Sequence, residues 1–200
     1  MKKIGGLGIG AILIGLFVVY GIYWYNSTVG MSEGVASTWA NVESSYQRRN
    51  DLIPNIVATA QKYAEFEQET LTAVIEARSN ATSINVDASD LTEENLAAFS
   101  KAQSSVSSGL GRLLATYENY PNLKANENFK ELINELSRTE NRINVERNRY
   151  NDAVGTYNVK VKRVPGVLFA SILGFEPAAF YQADEGAEVA PDVKNLFGSN

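Results

Sequence analysis

The apolar and polar positions divide the chain into one long apolar segment and several amphipathic segments. Residues 4–25 contain no charged side chain. As a helix they would extend about 33 Å, close to the roughly 30 Å of a bilayer hydrocarbon core. The segment ends in aromatic residues typical of a membrane interface, not in the small residues of a signal-peptide cleavage site. We therefore predict an uncleaved transmembrane helix at 4–25, preceded by a cytoplasmic N-terminus at 1–3.

Small residues recur along one face of this predicted span. Gly6 and Gly10 form a G-x-x-x-G motif, and Ala11 with Gly15 continues the spacing. Such a face lets two membrane helices approach closely, so these four residues are candidates for transmembrane packing and self-association. The alternative is that they reflect only the general frequency of glycine in membrane helices.

Three later segments, residues 33–79, 93–119 and 127–162, carry apolar residues at helical spacing. Short polar connections join them, and Asn126 is placed to cap the third segment. The prediction is an all-α protein in which residues 26–182 form an antiparallel helical bundle of three long helices plus a shorter C-terminal helix. Pro54 is expected to kink the first helix or to force a restart capped by Asp51.

The shorter C-terminal helix is expected within residues 167–181. This stretch is too short to span a bilayer, and Glu176 and Pro177 interrupt it. It either packs on the bundle or lies on the membrane surface, and we favour packing. Residues 183–200 have little apolar content and are predicted to be a flexible acidic tail.

Three charged residues occupy positions where the apolar stripes should continue: Arg49 in the first long helix, and Glu140 and Arg147 in the third. We predict a structural polar layer that fixes the register of the helices. A site for a partner or a ligand is the alternative.

Composition excludes several classes of function. The chain has 18 basic and 23 acidic residues, no cysteine and no histidine. Without a basic stripe it is a poor match to nucleic acid. The missing residue types remove thiolate nucleophiles, the usual zinc sites and the commonest general base. No catalytic, cofactor-binding or metal-binding residue is assigned, and a hydrolase with a Ser-Lys arrangement is a weak alternative.

Several short motifs follow one another in a fixed order along the chain. The first is residues 48–55, Arg-Arg-Asn-Asp-Leu-Ile-Pro-Asn. It is followed by Tyr63-Ala64, Ala77-Arg78, Tyr120 to Ala125 with Phe129, Glu140, Ile143, Arg147, Tyr150-Asn151, Tyr157-Asn158 and Gly174-Phe175. In order and spacing these motifs resemble the LemA family, whose opening segment residues 48–55 match. The resemblance implies a bacterial single-pass membrane protein with an antiparallel helical bundle. The resemblance does not supply an activity, so it provides no catalytic or ligand residues to transfer to this chain.

The resulting hypothesis is a noncatalytic membrane-anchored protein of the bacterial cell envelope, a scaffold or membrane-organising protein that self-assembles. An accessory or regulatory partner of another membrane protein is the alternative. The expected partners are the lipid bilayer, a second copy of the chain and other envelope proteins, without nucleic acid. Lys2 and Lys3 precede the span, and the first basic residue after it is Arg48. This asymmetry places the bundle on the outer, periplasmic side of the cytoplasmic membrane, with a cytoplasmic bundle as the alternative.

Overall fold

The computed structural model describes residues 6–62 and 67–182, and within these ranges every regular element is a helix. The six helices are α1 Gly6–Ala60, α2 Gln68–Ser83, α3 Glu93–Tyr117, α4 Pro121–Lys124, α5 Glu127–Lys162 and α6 Gly166–Leu173. The predicted all-α class is therefore confirmed. Residues 1–3 and the acidic tail at 183–200 lie outside the described residues.

The longest element, α1, joins the predicted span to the bundle without a break. Its 55 residues extend about 80 Å, more than twice the thickness of a hydrocarbon core. The apolar side chains of the span remain exposed on the protein, for example Ile14 at 67% and Phe17 at 58%. From Val35 onward the same helix buries one face against the other helices. The span and one edge of the bundle are thus a single helix.

The first bundle helix differs from its predicted limits. The predicted restart at Asp51 is wrong, because α1 continues through Pro54 to Ala60. α2 lies alongside α1 and α3. Pro54 has no N–H to donate to the carbonyl of Asn50, four residues earlier. The Arg78 Nε of α2 donates to that carbonyl at 2.7 Å instead. A kink at Pro54 stays a prediction.

Within the described ranges the bundle consists of four helices, not three, because the predicted first helix is divided between α1 and α2. Following the chain, α1, α2, α3 and α5 run alternately away from the span and back towards it. A membrane-proximal core surrounds Trp39, which is 0% exposed, and a second core further from the span surrounds Ile56, also 0% exposed. The predicted cap is confirmed at α5, where the Phe129 N–H donates to Asn126 Oδ1 at 2.9 Å.

The C-terminal segment lies against both the span and the bundle. α6 packs against α5 and α1, and Phe169 stacks on Trp24 with ring centroids 5.5 Å apart. The chain then runs back along α5 without regular structure. Asn158 exchanges two hydrogen bonds with the backbone of Ala178, each 2.9 Å long. The side-chain amides of α5 therefore hold this segment in place.

Candidate functional site

A buried guanidinium connects three helices of the bundle. Arg49 of α1 is 1% exposed. Its Nη1 donates to Ser107 Oγ at 2.7 Å and to Glu140 Oε1 at 3.0 Å. Its Nη2 donates to the backbone and side-chain oxygens of Gln103, at 3.0 and 2.7 Å. Arg49 therefore binds α3 and α5 at once, and we name Arg49, Gln103, Ser107 and Glu140 the polar layer.

The two charges of the polar layer differ in their access to solvent. The Glu140 side chain is 36% exposed, whereas the Arg49 side chain is 1% exposed. The guanidinium also lies over the ring of Tyr46, 5.0 Å from its centroid. Of the three guanidinium nitrogens of Arg49, only Nε lacks a hydrogen-bond partner among the described residues. A cation with four acceptors and an aromatic face is well compensated, so this arrangement favours register between helices over exchange of a ligand.

Arg147 lies outside the polar layer, about 10 Å further along α5 than Glu140. Its guanidinium covers the ring of Tyr181 at 4.4 Å and donates to the backbone oxygen of Gln182 at 3.1 Å. It therefore contacts the segment after α6. Gln103 and Ser107 join the polar layer although sequence reasoning did not select them. The available signal was Gln103 itself, a polar residue within the apolar stripe of α3.

A second buried charge, Glu146, was also missed. It is 5% exposed, and Oε1 accepts a hydrogen bond from Arg149 Nη1 at 2.8 Å. Oε2 has no partner among the described residues. Its position, three residues after Ile143 and four before Tyr150, was the sequence signal.

Buried tyrosines form the polar contacts of the membrane-proximal core. The hydroxyls of Tyr46 and Tyr181 lie 2.9 Å apart. Burial raises the pKa of the Tyr46 hydroxyl far above its ordinary value. Burial also raises the pKa of Tyr150 to about 12, and this hydroxyl donates to the backbone oxygen of Ala179. The hydroxyls of Tyr46 and Tyr150 are therefore neutral at physiological pH and act as structural hydrogen-bond groups.

A cleft of about 500 Å³ opens beside the polar layer, between α1, the end of α2 and α3. Its lining includes Glu43, Asn50, Asp51 and Gln103. Asn50 Oδ1 is buried without a partner among the described residues, and burial raises the pKa of Glu43. Glu43 and Asp51 are separated by about 12 Å along α1, too far for the carboxylate pairs of glycoside hydrolysis. The cleft offers acceptors for a polar molecule.

At the membrane-proximal end of the bundle, aromatic residues and a lysine meet the apolar segment of α1. Phe169 of α6 contacts Phe17 and Tyr20, with centroids 5.1 and 5.7 Å away. Lys160 Nζ lies 5.9 Å from the ring centroid of Tyr23. Gly10 and Gly15 of the span have open space where a Cβ would be added. For Gly6 the structure describes the helix but not the surroundings.

These features define a class of protein: a helical bundle carried by one apolar helix that continues into it. Within the described ranges, α1 is the one helix long and apolar enough to cross a membrane. The same ranges hold no cluster of three or more acidic metal ligands. The chain belongs to the LemA family, whose family model matches residues 38–195. This agrees with the resemblance found in the sequence.

Curated relatives cover most of the chain. Magnetosome protein MamQ 2 of Paramagnetospirillum magneticum is 26% identical over 86% of this chain and 70% of its own length. Magnetosome protein MamQ of Magnetospirillum gryphiswaldense is 24% identical over 96% of this chain and 76% of its own length. Protein LemA of Metamycoplasma hominis is 24% identical over 92% of this chain and 81% of its own length. Family and relatives support a membrane-associated protein.

Proposed function

We propose that this protein is a noncatalytic, membrane-anchored scaffold of the bacterial cell envelope that self-assembles. The observation that carries the proposal is the continuity of α1 from the span to Ala60. A continuous helix couples the tilt and rotation of the span to the position of the bundle. Association of two spans would therefore set two bundles side by side in a defined orientation.

Self-assembly through the span is supported by its uncovered small-residue face. Beyond the neighbouring backbone of α1 itself, no described atom lies within 4 Å of a Cβ added at Gly10 or Gly15. Close backbone approach at such positions stabilises helix pairs in lipid, where the hydrophobic effect supplies little. Ala11 is also exposed and extends this face.

A noncatalytic role is supported by the chemistry of the polar groups. The guanidinium of Arg49 is enclosed by structural acceptors, and the carboxylates of the cleft stand apart. The relatives named as magnetosome proteins are named for a cell structure, not for a reaction. We extend that character to this chain as part of the proposal.

The test of self-assembly is the particle mass of the full chain in mild detergent and in nanodiscs. We expect an oligomer for the natural sequence and a smaller particle for Gly6→Ile with Gly10→Ile, because the added side chains separate the spans. Gly30→Ile is the matched control, since Gly30 is an open glycine of α1 beyond the predicted span. A monomeric natural sequence would contradict self-assembly, and an unchanged double variant would assign assembly to the bundle.

We further propose that the bundle lies on the outer side of the cytoplasmic membrane. Lys2 and Lys3 flank the start of the span, whereas no basic residue lies between Tyr25 and Arg48. The natural chain has no cysteine, so Ser108→Cys on the exposed face of α3 provides one labelling site. An impermeant thiol reagent should label it in intact spheroplasts. Labelling only after the membrane is broken would place the bundle in the cytoplasm.

A further inference from the structure

α6 lies beside the bundle-side end of the span and approaches it closely at two glycines. A Cβ added to Gly21 would stand 3.1 Å from Phe169 Cε1. A Cβ on Gly166 would stand 2.3 Å from the backbone oxygen of Lys160 and 2.9 Å from Trp24 Nε1. Two glycines on facing elements thus permit a close approach, and α6 is fixed to the span by packing.

This contact places α6 at the depth of the membrane interface. Phe169 packs at the level of Gly21, about 6 Å along the helix from Tyr25, where the apolar segment ends. Interfacial helices bury their apolar face about 5–10 Å into the boundary between headgroups and acyl chains. A bilayer crossed by α1 therefore reaches α6.

The side of α6 that faces away from the protein is apolar except for Ser171. Its sequence, GVLFASIL, has no charged residue. Ile172 is 78% exposed and Leu168 is 59% exposed, although Phe169 and Ala170 are buried on the inner side. Val167 and Leu173 extend the exposed surface. Large exposed apolar patches mark sites of contact with membranes or with proteins, and this one lies beside the membrane span.

Cations border this apolar surface. Lys160, Lys162 and Arg163 form the last turn of α5 and its C-cap, directly before α6. None of them forms an ion pair with a described carboxylate, although the chain as a whole carries a net charge of −5. Lys160 lies beside Tyr23, one of the aromatic residues at the end of the apolar segment. A cleft of about 270 Å³ opens there, lined by Lys160, Arg163 and Tyr20.

We propose that α6 and the last turn of α5 form a second membrane contact, specific for anionic phospholipid. The apolar side of α6 inserts into the same leaflet that the span leaves. Lys160, Lys162 and Arg163 bind the phosphate groups of anionic lipids around it. The proposal rests on anchoring by α1 and does not require self-assembly. It gives the bundle two attachments to one leaflet, which restricts its tilt.

Insertion is tested with single-cysteine variants of the full chain in vesicles of phosphatidylcholine and phosphatidylglycerol. Ile172→Cys carries an environment-sensitive fluorophore, with Ser108→Cys as the bundle control and Ile14→Cys as the span control. We expect aqueous iodide to quench the probe at 108 and to spare those at 172 and 14. Lipids brominated near the headgroup should quench the probe at 172.

Each deviation has a distinct meaning. Iodide access at 172 equal to that at 108, with the probe at 14 protected, would overturn insertion. Iodide access at 14 would instead show that α1 does not span, which is a failure of the anchoring itself. Protection at 172 that disappears on dilution of protein in lipid would assign the surface to a second copy of the chain and overturn the lipid contact.

Lipid specificity is tested by comparing quenching of the 172 probe by brominated phosphatidylglycerol and brominated phosphatidylcholine. A cation near a membrane surface changes anionic-lipid affinity about fivefold, so three cations give a preference of up to about a hundredfold. Lys160→Gln, Lys162→Gln and Arg163→Gln together should remove most of it. Lys101→Gln, Arg112→Gln and Lys124→Gln remove the same charge from exposed bundle positions and should preserve it. An equal preference for phosphatidylglycerol in both triple variants would overturn the binding of anionic headgroups by Lys160, Lys162 and Arg163.

Discussion

The bond from Arg78 to Asn50 determines how α1 tolerates a proline in its interior. Arg78 Nε donates to the Asn50 oxygen at 2.7 Å, and Asn50 is 4% exposed, so water has little access to replace the donor. Arg78→Met keeps an unbranched side chain and removes the donor. In the natural sequence the variant leaves a buried carbonyl that Pro54 cannot satisfy. In a Pro54→Ala background, the new N–H at position 54 restores the helical bond.

An unpaired buried acceptor lowers the free energy of unfolding by about 1–3 kcal/mol. Because Arg78 is partly exposed, we expect Arg78→Met to lower it by about 2 kcal/mol, below the upper end of this range. In the Pro54→Ala background, the same substitution should cost about 0.5 kcal/mol, the usual effect of a partly exposed site. The double-mutant cycle therefore predicts a coupling of about 1.5 kcal/mol between positions 54 and 78.

The measurement is urea unfolding of the full chain in mild detergent, monitored through the helical signal in circular dichroism. Arg112→Met is the matched control, because Arg112 is an exposed arginine of α3 without an ion pair among the described residues. Equal costs of Arg78→Met in the natural and Pro54→Ala backgrounds would refute the compensation. A cost no larger than that of the control would show that the bond contributes nothing to stability.

Three further predictions concern stability, measured by the same unfolding assay. Arg49→Met should lower the free energy of unfolding by about 3 kcal/mol, because four acceptors lose a charged donor. Glu140→Gln, at a partly exposed position, should lower it by about 1 kcal/mol. A larger loss for Glu140→Gln than for Arg49→Met would refute the geometry of the polar layer. Burial raises the pKa of Tyr150 to about 12, so between pH of about 10 and about 12 the folded state keeps a proton that the unfolded state loses. Stability should therefore fall as the pH rises through this range, and it should fall less steeply in Tyr150→Phe. Asn126→Ala should cost about 1 kcal/mol through loss of the α5 cap, with Asn128→Ala as a control expected to be near neutral.

The sequence alone was sufficient where structure follows from local pattern. The uncharged segment at 4–25 predicted an apolar helix, and residues 6–25 are helical, with most of the described span exposed. The helical periods after residues 93 and 127 predicted α3 and α5, because a 3.6-residue stripe needs a single face to bury. Asn126 was recognised as a cap since its partner lies three residues away.

Only the tertiary structure decided the features that depend on distant residues. Pro54 predicted a break, yet α1 continues through it to Ala60, and Arg78, 24 residues later, donates to the carbonyl that Pro54 leaves unpaired. Arg49 and Glu140 looked unusual in their stripes, but Gln103 and Ser107 became partners of Arg49 only through packing of α3. Local periodicity reports which face of a helix is buried, whereas the identity of the group opposite each buried charge depends on contacts between helices far apart in the chain.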